Sequence, residues 1–123
     1  MRQDRAQGPL GDPEVQARLK ELGVKIESQQ AADFDAVMRT PQGRRFFYVL
    51  VFLLGHLESP SYDTSGQSMA YREGRRAMAI ELRDWALAVC PDLWLSMIQE
   101  QVSAAQQKQD ERHNAARKEE QSE

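Results

Sequence analysis

A chain of 123 residues with a formal net charge of −3 and a single cysteine fits one domain, closes no internal disulfide, and is too acidic overall for a general nucleic-acid binder. The charge is uneven: residues 1–38 carry five basic and seven acidic groups, residues 39–83 seven and four, and residues 84–123 four and eight. The basic middle is entirely arginine, so a local arginine surface stays open as a possibility, and the lone thiol, Cys90, fits synthesis in a reducing compartment.

In chain order, residues 1–11 contain Gly8-Pro9-Leu10-Gly11 and little else to order them, and read as a flexible arm. The first seven residues show no apolar stretch, so no secretory signal is expected. Residues 12–105 read as an all-α helical bundle. Asp12-Pro13-Glu14 is a helix start, with an acceptor side chain, a proline whose φ is already helical, and an acid at the positive end of the helix dipole. Val15, Leu19 and Leu22 follow at helical spacing, and Gly23 ends this surface helix. Ser28 is the expected cap of a second helix reaching Met38, with Phe34, Val37 and Met38 inward and Asp33 and Asp35 outward.

Thr40-Pro41 opens a third helix, and Gly55 closes it where a left-handed turn costs glycine little. Residues 46–54 within it form an unbroken apolar run of nine, well short of the ~20 needed to span a bilayer. A helix apolar on all sides is expected to be buried on all sides, with Val49, Leu50, Phe52 and Leu53 nearly fully enclosed. Residues 58–63 read as a loop, and Thr64-Ser65-Gly66-Gln67 has capping-box spacing. The helix beyond it should reach Val89. At 100° per residue, Tyr71, Arg75, Met78, Leu82, Trp85 and Val89 share a stripe about 80° wide, expected to face the central helix. Met69, Ala77, Ile80 and Leu87 form a second apolar strip on the other side, the expected assembly surface. Cys90-Pro91-Asp92 breaks that helix and starts the last, whose Trp94, Met97, Ile98, Val102 and Ala105 share a face. Residues 106–123 have helix propensity without an apolar face, and read as a polar helical or disordered tail.

Catalytic chemistry is poorly supplied. His56 sits at a helix end and His113 in the polar tail; Cys90 has no recognisable partner; Asp33 and Asp35 are two apart on a helix and diverge. Neither a phosphate-binding glycine loop nor zinc spacing is present in the sequence, so no catalytic, metal or cofactor residue is assigned. What recurs is a tripeptide: Gly43-Arg44-Arg45 before the apolar run and Gly74-Arg75-Arg76 early in the fourth helix. Helix-interior glycine costs about 1 kcal/mol relative to alanine and is tolerated where backbones come close. Arg75 falls on the core-facing stripe, so its head is expected to pair with an acid (Asp33, Asp35 or Glu73) or with carbonyls. Arg76 points about 100° away and is expected to be exposed. Arg72, Arg76 and Arg83 lie within about 40° of one another, either a solvated face or, with Arg44, a surface for phosphate or an acidic partner.

Residues 31–98 resemble a family of small podophage proteins typified by a product of the Bordetella tropism-switching phage. The resemblance rests on Asp33, the run Val37-Met38-Arg39-Thr40-Pro41-Gln42-Gly43-Arg44-Arg45-Phe46, the run Ala70-Tyr71-Arg72-Glu73-Gly74-Arg75-Arg76, and Pro91-Asp92-Leu93-Trp94. It implies a virion component of the internal core, ejection apparatus or head–tail region, and carries over no catalytic residue. The expected function is a non-enzymatic structural and interaction protein, assembling with itself and with larger virion proteins. The alternative is a DNA-contacting protein inside the head, and a small lytic enzyme is a distant third.

Overall fold

The computed structural model describes residues 8–57 and 66–122. Among these the chain is all-α, without a strand. A 3₁₀ turn, Gly8–Gly11, precedes α1 (Pro13–Leu22), α2 (Ser28–Met38) and α3 (Pro41–Tyr48). Helix α3 runs on without a break into a π-helical segment, Val49–Leu54. Then come α4 (Gly66–Val89) and α5 (Pro91–Ser122). The loop expected at residues 58–63 and the first half of the capping box lie outside the described residues.

The helix starts follow from local chemistry. Asp12 accepts a hydrogen bond from the Glu14 amide at 2.9 Å, and Thr40 accepts one from the Gly43 amide at 2.9 Å. Each is followed by proline at the first helical position. Thr40 also donates its hydroxyl to the Val37 carbonyl at 3.0 Å, so one side chain closes α2 and opens α3. Ser28, expected as a cap, is instead the first helical residue; Glu27 holds the cap position, and its amide donates to Gln30 at 3.3 Å.

Helix α1 packs on α4, α2 on α3, and α5 on both α3 and α4. The core gathers Ala31, Met38, Phe47, Val51, Ala86 and Met97 with their neighbours. Phe34 meets Phe47 edge-on at 5.2 Å between ring centroids and Trp85 at 6.0 Å; Phe47 meets Trp94 at 6.2 Å. These rings tie α2, α3, α4 and α5 together, in the edge-to-face arrangement that aromatic quadrupoles favour. A smaller cluster of Val15, Leu19 and Ala88 seats α1. Leu10 packs against both clusters, so the 3₁₀ turn, expected within a flexible arm, is docked.

The apolar run is not enclosed on all sides: Val51 is 0% exposed, but Val49, Leu50 and Phe52 are half-buried and Leu53 is 58% exposed. Helix α4 packs across this segment, and Trp94 of α5 meets Phe52 at 5.8 Å between ring centroids. The left-handed turn falls one residue late. Gly55 is right-handed, with φ −82°, and His56 takes φ +53°. Gly55 is needed for space, because a Cβ there would lie 2.6 Å from Ala79 Cβ. The amides of Gly55 and Leu57 reach back to the carbonyls of Leu50 and Val51, 2.9 and 3.2 Å, and give the end of the π segment a wide closing turn.

Helix α4 also departs in part from the expected stripe. Its buried residues are Ala79, Ala86, Ala88 and Val89, while Tyr71 is 68% and Met78 60% exposed. Where α4 crosses the π segment at close range over Gly55 the small Ala79 faces the core, while further along Leu82, Trp85 and Val89 of the expected stripe do pack inward. The strip expected as an assembly surface is split: Met69 and Ala77 are exposed, Leu87 is half-buried and Ile80 packs against the core.

Candidate interaction surface

The arginines are the first candidates for a site, and most are engaged within the fold. Arg44 is nearly enclosed, its side chain 11% exposed, and it holds both carboxylate oxygens of Glu100 at 2.9 Å while donating to the Met38 carbonyl at 2.9 Å. The hydrogen bond to Glu100 is the main reason its pKa is raised further. Arg75 donates from Nε to the Leu54 carbonyl at 2.8 Å, and its Nη2 contacts the same oxygen. Arg76, expected to be exposed, is half-buried and donates to the Leu57 carbonyl at 3.3 Å. Arg18 donates to the Ala88 carbonyl at 2.9 Å.

These contacts share one logic. Met38 ends α2, Leu54 ends the π segment, and Ala88 lies in the last turn of α4. The last carbonyls of a helix lack intrahelical donors and carry partial negative charge, so a guanidinium satisfies both needs. Arg75 thus pairs with a carbonyl rather than with Asp33, Asp35 or Glu73. Asp35 is held by Arg39 at 2.7 Å, and Asp33 accepts from Gln29 at 2.9 Å. Arg83 leans on Asp84 at 3.2 Å, while Arg72 and Arg45 are exposed. Of the four arginines expected to meet phosphate or an acidic partner, Arg44, Arg76 and Arg83 have the acceptors named above and Arg72 is not free either.

The two glycines differ as well. A Cβ at Gly43 would overlap the Val37 carbonyl oxygen and lie 2.8 Å from Thr40 Oγ1, a true close approach. At Gly74 nothing lies within 4 Å, so the expectation of a close backbone contact at this position within the chain is corrected.

Cys90 is buried beside a polar groove of about 560 Å³ bordered by Asp12, Glu14, Arg18, Asp35, Arg39 and Asp92. Burial, helped by the negative charges of Asp35 and Asp92, pushes its thiol up to about 12. It is therefore protonated at neutral pH and no nucleophile. Among the described residues no cluster of three His, Cys, Asp or Glu is placed to hold a metal ion, and no helix is long and apolar enough to cross a membrane.

What remains is apolar. Leu50, Leu54, Tyr71, Met78, Ala79 and Leu82 border a groove of about 460 Å³ between the π segment and the first half of α4. Leu53, Leu54, Tyr71 and Met78 are each more than half exposed. Arg75 stands at the groove with its guanidinium 5.4 Å from the Tyr71 ring centroid, a cation–π contact that orients the ring. Exposed apolar surface gathered in this way on a small domain makes this groove the candidate interaction surface. Sequence reasoning missed it because it placed Tyr71 and Met78 in the core. The available signal was the alanine spacing Ala79-Ala86, seven apart, which marks the buried line of α4. Comparisons with protein-family models, with curated proteins and with solved structures return no match for this chain.

Proposed function

We propose that this chain is a non-enzymatic structural and interaction protein of a phage particle, which assembles with itself and with larger virion proteins of the internal core, ejection apparatus or head–tail region. The observation that carries the interaction half of this reading is the open apolar face of Leu53, Leu54, Tyr71 and Met78. It stands on a bundle whose other polar needs are met internally: no buried side-chain nitrogen or oxygen lacks a partner among the described residues. Helix α5 supports it too, since from Val102 to Ser122 it is exposed throughout, a rod with no face to bury in the isolated chain. The virion half rests on the resemblance of residues 31–98 to small podophage proteins.

The test is to purify intact particles, wash them in high salt, and quantify this chain against the major head protein. A fixed copy number per particle, with cross-links to a larger virion protein, is the expected result. Presence in infected cells but absence from washed particles overturns the reading. The DNA-contacting alternative predicts duplex binding that weakens steeply with salt. The engagement of Arg44, Arg76 and Arg83 within the chain counts against it.

A further inference from the structure

We infer that the first half of α4 pairs with the same segment of a second copy, two antiparallel helices crossing at Gly74 about a two-fold axis. This deepens the self-assembly proposed above and rests on it. Gly74 is the starting point. Glycine inside a helix is less favourable than alanine, and no described residue occupies the space beside it. Ala70 and Ala77 lie four before and three after it, both exposed, so one edge of α4 has almost no side chain. Tyr71 and Met78 stand next to that edge and are largely exposed. Together they form a shallow seat for a helix backbone at close range, with two large apolar side chains to lock it.

A second copy fits this seat on two counts. Between Gln67 and Glu81 this face of α4 carries no charge, so a two-fold axis opposes no like charges. Arg72 and Arg76 project about 160° from Gly74 and stay outside the contact. Antiparallel pairing sets each Tyr71 opposite the small Ala77 of the other copy and near its apolar groove of about 460 Å³. The exposed parts of Leu53, Leu54, Tyr71 and Met78 amount to roughly 400 Å², about half of the ~800 Å² per partner of a stable interface, and the exposed Ala70, Gly74 and Ala77 add to it.

Sedimentation of the full-length chain, with variants checked by circular dichroism, tests this. The expected mass is twice the 14.1 kDa of one chain. Met78→Glu, at an exposed position that leaves folding intact, should raise the dimer dissociation constant at least ~30-fold. Gly74→Ala should weaken the dimer while raising the melting temperature of the dissociated chain. Gly74→Cys should form an inter-chain disulfide on mild oxidation, while buried Cys90 stays reduced. A dimer that tolerates Met78→Glu and does not cross-link through Gly74→Cys overturns the proposed face but leaves self-assembly standing. A wild-type monomer at every concentration overturns both the pairing and self-assembly; association with the particle is read separately, by the copy number in washed virions.

Discussion

Two Gly-Arg-Arg steps stand at the starts of α3 and α4 and meet opposite surroundings. At the first, Gly43 lies against the Val37 carbonyl with no room for a Cβ, and Arg44 is clamped between Glu100 and the end of α2. At the second, no described residue lies against Gly74, while Arg75 reaches back to the Leu54 carbonyl that ends the π segment and Arg76 to the Leu57 carbonyl just beyond it. The first step lies where α3 meets both α2 and α5, and Gly43 and Arg44 are packed there while Arg45 is exposed. The second lies on a helix whose first half has a neighbour on one side only, and its large apolar residues are left outward. The same tripeptide therefore closes one end of the bundle and pins a helix whose free side remains open. The difference is set by what the following residues pack against.

The sharpest way to break this comparison is one substitution made twice. Gly43→Ala forces overlap with backbone and should cost about 3 kcal/mol or more. Gly74→Ala removes only the helix penalty and should stabilise the isolated chain by about 1 kcal/mol. Thermal or urea melts read both, and two changes of the same sign would contradict the account. A second pair uses methionine. Met38 is fully buried, so Met38→Ala should cost about 2–5 kcal/mol. Met78→Ala, on the open side, should stay within about 0.5 kcal/mol in the monomer.

Arginine gives the next contrast. Arg44→Ala leaves Glu100 without its partner and the Met38 carbonyl without a donor, for a loss of about 1–3 kcal/mol; Glu100 is partly exposed, which keeps the figure below that of a buried pair. Arg45→Ala next to it should change stability by less than about 0.5 kcal/mol. His56→Gly relieves a non-glycine residue held at φ +53° and should stabilise by about 1 kcal/mol, measured in the same melts.

A smaller effect concerns pH. The Cys90 thiol is raised to about 12 from an ordinary value of 9. The folded state therefore holds this proton more tightly than the unfolded chain. Its contribution to stability is complete below about 9 and is lost as pH rises toward 12. Alkylation of Cys90 at pH 8 should follow unfolding rather than thiol chemistry; rapid labelling of the native chain would contradict its burial.

Helix boundaries were legible where a cap and a proline coincide, as at Asp12-Pro13 and Thr40-Pro41, and where Pro91 alone breaks the chain, because those signals act within a few residues. The pairing of Arg75 with a carbonyl was legible as one of two options. The partners Glu100 for Arg44 and Ala88 for Arg18 were not, since they lie 56 and 70 residues away and depend on the whole bundle. The buried side of α4 was legible at Leu82, Trp85 and Val89 and misjudged at Tyr71 and Met78, because size was taken as the mark of the core where close crossing selected Ala79. Angular arithmetic also fails beyond Tyr48, where the π segment turns less per residue than an α-helix.

Amide hydrogen exchange on the full chain tests the open side most directly. In dilute solution residues 67–78 should exchange much faster than residues 79–89 of the same helix, and their protection should rise as concentration or a particle partner covers Tyr71 and Met78. Equal protection along the whole of α4 at low concentration, unchanged on association, would contradict the account.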